Sequence, residues 1–279
     1  MRHILVTGAN KGIGLALVEA ILSTHADTFV FLCSRDLERG RDAAAPLAEA
    51  YPGRLEVVRL DVADERSVAD AKTQVAERLG DERLYAVVNN AGIGMKTPDP
   101  ARIVGTNTLG VRRVCEAFLP LIDAGAGRIV NVTSASGPLF VAGAPAEVQR
   151  ILLDPATTWP RLAAFIEESL ANGLAAGNAY GFSKACANTY TMILAREHAG
   201  LKVNACTPGY IDTDMTRPAG SQDKSAAELG MKTPREGTAA AMHLLFAELE
   251  GNGRYYGSDA KRSPFDTYRA PGSPAYTGP

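Results

Sequence analysis

Short apolar runs alternate along this chain with longer stretches in which apolar residues recur every three or four positions. The runs at 3–6, 28–33, 54–60, 84–88, 127–133 and 202–206 are too short for anything but strands. Between them, helical spacing predicts helices at 15–23, from a cap at Asp36 to about 50, and at 65–79, 101–122, 179–198 and 234–249. A short seventh strand is expected at 253–256. This alternation predicts an α/β fold, a single Rossmann-type doubly wound parallel sheet of about seven strands with helices on both faces. Two stretches break the rhythm. Residues 135–178 form an insert rich in Gly, Ala and Pro with one helix expected at 160–171, and residues 210–233 are polar and irregular. Residues 1–257 read as one domain. Residues 258–279, with five prolines and glycines among the last nine, read as an extended tail with no core of its own.

Composition narrows the class. The 279 residues suffice for one large domain with a sizeable core, and 46% hydrophobic with 22% charged residues is ordinary for a globular protein. A formal charge of −2 offers no basic footprint for nucleic acid or an anionic membrane. Cys33, Cys115, Cys186 and Cys206 are scattered without a CxxC, which reads as reduced thiols in a cytoplasmic protein, with Cys206 near enough to the active edge to be a thiol-reactive site. The chain enters a strand by residue 3 and has no apolar run of membrane-spanning length, so neither a signal peptide nor a membrane segment is expected. No metal-ligand pattern is present.

The stretch TGANKGIG, residues 7–14, lies between the first strand and the first helix. Gly8 suits a positive-φ turn, while Gly12 and Gly14 keep Cβ atoms away from a diphosphate and from the strand–helix contact. The helix N-terminus behind them offers free N–H groups and a positive dipole end to an anion. In open α/β sheets, ligands bind beyond the carboxyl ends of the strands, which gathers Gly8, Ser34, Asp61, Asn89, Ser134 and Pro208 along one edge. Tyr180 and Lys184, four apart on a helix, share a face. An ammonium beside a phenol favours the phenolate and lowers its pKa toward neutrality.

With these pieces in order, the sequence resembles the short-chain dehydrogenase/reductase family, and more closely its carbonyl reductase branch. The resemblance rests on TGANKGIG, Asp61-Val62, Asn89-Asn90-Ala91-Gly92, Asn107, Ser134, the Tyr180–Lys184 pair and Pro208-Gly209, and spans residues 4 to about 257. It implies hydride transfer between a nicotinamide and a carbonyl or carbinol carbon. Tyr180 would donate the proton, Ser134 would hydrogen-bond the carbonyl oxygen, and Lys184 would lower the Tyr180 pKa and hold the nicotinamide ribose. Asn107 would position a water joining Lys184 to solvent. Cofactor contacts would come from Gly8, Asn10, Lys11, Gly12, Ile13 and Gly14 in the turn. Asp61, Val62, Asn89, Ala91 and Gly92 would flank the adenosine, and Pro208, Gly209 and Thr213 would complete the site.

Cofactor choice follows from charge. An NAD enzyme needs a carboxylate at the end of the second strand, where this chain has Ser34 followed by Arg35. A hydroxyl beside a guanidinium suits a 2′-phosphate, with Arg39 and Lys11 adding charge, and Asp36 reads as a helix cap. NADP(H) is therefore the expected cofactor and a small-molecule carbonyl (aldehyde, ketone or quinone) the expected substrate. A dedicated reductase of one steroid, terpenoid or alkaloid ketone is the alternative, and a non-catalytic NADP(H)-sensing protein a remoter one. The insert helix should dock by Leu162, Phe165, Ile166 and Leu170 on the outer side of the 179–198 helix, where relatives dimerise, so a monomer is expected.

Overall fold

A computed structural model describes residues 1–94, 96–217, 221 and 223–278. Its centre is an eight-stranded sheet of order β3-β2-β1-β4-β5-β6-β7-β8. The strands are β1 (Arg2–Val6), β2 (Thr28–Ser34), β3 (Leu55–Arg59), β4 (Leu84–Asn89), β5 (Arg128–Val132), β6 (Lys202–Cys206), β7 (Tyr255–Tyr256) and β8 (Arg262–Ser263). All neighbours pair in parallel except β7 with β8. Every residue of β2 is buried, the mark of a strand covered on both faces. Chain order reverses between β1 and β4, so the crevice beyond their carboxyl ends is the place for a ligand.

Helices α1 (Gly12–Thr24) and α2 (Leu37–Ala50) share one apolar layer, and α3 (Glu65–Leu79) lies in the other. Asp36 caps α2 by accepting from the Arg39 N–H, and Asp64 caps α3 the same way. The helix expected at 101–122 is interrupted. It runs as α4 (Pro100–Val104), one π-helical turn (Gly105–Leu109), α5 (Gly110–Phe118) and a 3-10 turn (Leu119–Leu121). A π turn adds one residue to the ladder and is found mostly at functional sites; Asn107 sits in it.

The insert folds into α6 (Ser136–Gly143), α7 (Ala146–Leu153) and α8 (Trp159–Ala171), and α9 (Ala176–Glu197) follows. Helix α8 docks on α9 as its apolar face predicts. Leu162 and Ile166 are buried in the cluster that holds Phe182 and Tyr190. Phe165 lies 5.5 Å from the Phe182 ring, and Trp159 meets Tyr190 edge-on at 5.6 Å. Arg112 of α5 caps Trp159 from the other side, 4.1 Å from its ring centroid. Burying each such side chain contributes about 1.5–3 kcal/mol.

Two expectations need correction. The helix expected at 234–249 is shorter, a 3-10 turn (Glu236–Thr238) leading into α10 (Ala239–Phe246). Thr233 and Glu236 close its start as a reciprocal capping box. Tyr85 and Arg128 donate to the carbonyls of Leu244, Leu245 and Ala247, satisfying its end without another turn. The tail is also not loose. After a turn through Ala260, at φ +58°, it adds β8 as the eighth strand. Arg269 pairs with Asp259, both largely buried, and also donates to Ser263 Oγ and the Ser273 carbonyl. Tyr276 N–H donates to the Arg262 carbonyl. Of the irregular run expected at 210–233, residues 218–220 and 222 lie outside the described residues, as does 279 in the tail.

Candidate active site

The glycine turn is fixed by backbone proximity. Gly8 and Gly12 adopt φ +62° and +56°. A Cβ on Gly8 would lie 2.8 Å from Ala91 Cα, and one on Gly14 only 2.5 Å from the Gly8 carbonyl oxygen and Asn90 Nδ2. Side chains absent from the expected contacts hold the turn. Asn90 Nδ2 donates to the carbonyls of Thr7 and Gly8, and Thr7 Oγ1 accepts from the Asn90 and Ala91 N–H groups. The Asn-Asn-Ala-Gly stretch carried that signal, since a second asparagine at a strand end is a ready backbone ligand. Helix α1 begins without a side-chain cap and without an acid in its first turn. Its N–H groups therefore face the crevice free to receive a diphosphate, and the turn fits a dinucleotide. Asn10 and Ile13 are half-buried in that turn.

At the end of β2, Ser34 is buried and its hydroxyl donates to the Asp36 carbonyl, 2.7 Å away. The Asp36 carboxylate is engaged by the Arg39 N–H and guanidinium. With that carboxylate engaged, exposed Arg35 stands beside the Arg39–Asp36 pair, a fit for a 2′-phosphate. Lys11 departs from expectation. Its ammonium pairs with Asp214 at 2.6 Å across the crevice mouth, so its charge is already matched. Thr213, next to that aspartate, brings its methyl within 3.3 Å of a Cβ placed on Gly12.

Asn89 also differs. Strand alternation puts it on the face of Val87, and its amide donates into the core, to Asn131 Oδ1 at 2.8 Å and Cys115 Sγ at 3.2 Å. Ala91 and Gly92 stay at the edge. Asp61 accepts from the Ala63 N–H, and buried Val62 rests against Gly110. Pro208 leads into Gly209 at φ +97°, which Ser258 covers, the first residue of the C-terminal strap formed by 258–278.

Ser134, at the end of β5, hydrogen-bonds the Tyr180 phenol and accepts from the Ser136 N–H. Glycines let α6 approach α9 closely. A Cβ on Gly137 would lie 3.2 Å from the Ala185 nitrogen, and one on Gly181 3.0 Å from the Ser136 carbonyl oxygen. Lys184 is buried, and its ammonium donates to the Val132 carbonyl at 3.1 Å and lies 5.8 Å from the Tyr180 ring centroid. Asn107 Oδ1 and Lys184 Nζ both border Gly92, at 3.2 and 3.5 Å from a Cβ placed there. Asn107 is fully buried, and its amide is occupied by both backbone groups of Ile93 and by Ser183. The side chain anchors the loop after β4, with one hydrogen bond accepted by Oδ1 and two donated by Nδ2.

The electrostatics reverse one expectation. Burial lifts the half-buried Tyr180 phenol above its ordinary value, and the Ser134 hydrogen bond pulls against that lift. Burial also brings the Lys184 pKa down to about 8, so the ammonium stays charged at neutral pH beside a phenol that desolvation nonetheless lifts. Cys206 is buried and its thiol pushed up to about 12 by desolvation, so it is not the reactive thiol expected. Among the described residues no cluster of metal-binding side chains occurs.

The short chain dehydrogenase family matches residues 2–146 and 168–224, leaving out most of α7 and α8. The chain is 31% identical over 275 residues to NADPH carbonyl reductase 1 of Macaca fascicularis, covering 91% of this chain and 94% of that one. Among solved structures, salutaridine reductase from Papaver somniferum superposes with a TM-score of 0.76 at 25% identity, over 92% of this chain and 99% of that one. NADPH-bound carbonyl reductase from chicken fatty liver superposes with 0.70 at 26%, over 94% and 98%. The chain belongs to the short-chain dehydrogenase family and is an oxidoreductase.

Proposed function

We propose that the protein reduces an aldehyde, ketone or quinone to the alcohol with NADPH. The observation that carries this reading is buried Lys184 beside the Tyr180 ring, with Ser134 acting on the same phenol, at the strand edge that also carries an uncapped α1 and Arg35. When bound, NADPH would supply the hydride. Gly8, Gly12 and the first turn of α1 would receive its diphosphate, Arg35 and Arg39 its 2′-phosphate, and Asp61, Val62 and Ala91 would flank its adenosine. Tyr180 holds the proton that the carbonyl oxygen takes. A phenol lifted by burial stays protonated at neutral pH, the form an acid needs in the reductive direction. Ser134 donates to the same oxygen as charge grows on it. Lys184 supplies positive charge beside the Tyr180 ring, and Asn107 holds the Gly92–Ile93 loop against it.

The docked α8 occupies the outer face of α9, which supports a monomer, because one face cannot serve two partners. No described helix is long and apolar enough to cross a membrane, and all four thiols are free, which suits a reducing cytoplasm. A second reading, a dedicated reductase of one bulky ketone, draws on the higher TM-score of the salutaridine reductase structure. NADPH oxidation followed at 340 nm with a panel of carbonyl compounds tests both. Turnover across the panel supports the first and turnover of a single member the second. Binding of NADPH with no turnover on any member overturns both.

A further inference from the structure

A phosphomonoester such as the 2′-phosphate carries a charge of about −1.5 to −2 at neutral pH, so a single guanidinium leaves it only partly matched. Two of the cations expected for it are already engaged. Lys11 pairs with Asp214, and the Arg39 guanidinium lies 3.5 Å from the Asp36 carboxylate. Exposed Arg35 forms no ion pair among the described residues. The neighbouring edge strand supplies a second cation of this kind. Arg59 is the last residue of β3, exposed, and likewise without an ion pair among the described residues.

Strand register places Arg59 at the same corner. It is the Cα partner of Ser34, as Val57 is of Leu32, and the next N–H, that of Leu60, donates to the Ser34 carbonyl at 2.9 Å. Paired strands lie about 4.8 Å apart and registered side chains share a face, so Arg59 leaves the sheet beside Ser34. The packing of α2 identifies that face. A Cβ on Gly40 would lie 2.9 Å from Val57 Cγ1 and 3.0 Å from Ser34 Cβ, so the helix rests on these two residues. Arg59 is the next position of the same face beyond Val57, level with the first turn of α2 and with Arg35. An edge strand has another use for an arginine, a charge that discourages pairing with a further strand, but that use is indifferent to which cofactor is bound.

We propose that Arg59 is a specificity-determining residue of the cofactor site, a second cation that reaches the 2′-phosphate from β3 while Arg35 reaches it from β2. This rests on the NADPH reading and deepens it by one residue. Calorimetric titration of the full chain with NADP⁺ and with NAD⁺ tests it, since the two probes differ only by that phosphate. Arg59→Gln removes one charged contact, and should weaken NADP⁺ about tenfold while leaving NAD⁺ within about twofold. Arg59→Lys, which keeps the charge but not the fork of donors, should recover part of the loss. In a parent protein that prefers NADP⁺, equal weakening of both dinucleotides or an unmoved NADP⁺ constant in Arg59→Gln overturns the assignment and leaves the NADPH reading standing. A parent protein that binds NAD⁺ as tightly as NADP⁺ overturns both. Selective loss of NADP⁺ in Arg59→Gln, with no carbonyl compound reduced by the parent protein, supports Arg59 and overturns the reductase reading instead.

Discussion

The two sides of the site are built by different means. On the cofactor side, backbone meets backbone. Gly8 against Ala91 and Gly14 against the Gly8 carbonyl leave no room for a Cβ, and the Asn90 and Thr7 side chains tie β1 to β4 through hydrogen bonds to main-chain groups. On the substrate side, elements are added from outside and held through side chains. Helix α8 is held by Leu162, Ile166 and Trp159, and the strap, beyond its short pairing with β7, by the largely buried Asp259–Arg269 ion pair and Phe265 against Tyr255. Backbone contact demands particular residues at particular positions, whereas side-chain docking can be rebuilt with other residues of similar volume. A dinucleotide is a constant ligand and substrates vary, so each mode of construction sits where its tolerance matches the ligand. The family match itself follows this division, running through the glycine turn and omitting most of α7 and α8.

The largest expected effect lies at the seam between the two sides. Tyr180→Phe should lower kcat by about 10²–10⁴-fold while leaving the NADPH dissociation constant unchanged, measured by fluorescence titration beside steady-state rates. A variant with normal kcat would remove Tyr180 from proton transfer. Next comes a crossed pair. Leu162→Ala should cost about 2–5 kcal/mol of stability in urea unfolding and leave NADPH affinity intact. Arg35→Ala should do the reverse, weakening NADPH roughly 10–100-fold with Tm and NADH binding unmoved. If Leu162→Ala weakens NADPH, or Arg35→Ala weakens NADH equally, the two sides are not separable.

The smallest effect is a pH dependence. Burial holds the Lys184 pKa at about 8 in the folded chain, below its ordinary value of 10.5. Between those values the unfolded chain binds more protons, so this group makes stability rise with pH across that window. Unfolding free energies of the parent and of Lys184→Met at pH 7.5 and 9.5 check the sign. The parent should gain relative to the variant at the higher pH, and a gap that widens in the variant's favour contradicts it.

Much of this was legible in the sequence, for physical reasons. Buried strands announce themselves as continuous apolar runs such as 28–33, and the α8 docking face follows from Leu162, Phe165, Ile166 and Leu170 at helical spacing. The glycine turn and the Tyr180–Lys184 pair are short-range patterns whose geometry is set locally. What escaped depends on distant partners. The strap looked unstructured because it has few apolar residues and five prolines and glycines among its last nine, yet it is fixed by Arg269 reaching Asp259 and by pairing with β7. The sign of the Tyr180 shift depends on how deeply tertiary packing covers the phenol, which spacing does not encode. Asn89 turns inward through strand alternation, a period-two rule that a reading by motif passes over.

The π-helical turn at Gly105–Leu109 limits how the chain can change in length. Each residue of an α-helix advances the ladder by about 100°. Because the turn holds one residue more than an α-helical turn, deleting one there would let regular hydrogen bonding return with Val111, Val114 and Phe118 still on the core face, and the change would fall on Asn107, which would lose Ile93. Exposed residues 124–126, tied locally to the Asp123 carboxylate, can gain or lose a residue with little effect on the core. The five-residue turn cannot lose one without freeing Ile93, and single-residue deletions scanned across 100–127 should be tolerated at 124–126 and rejected at the turn.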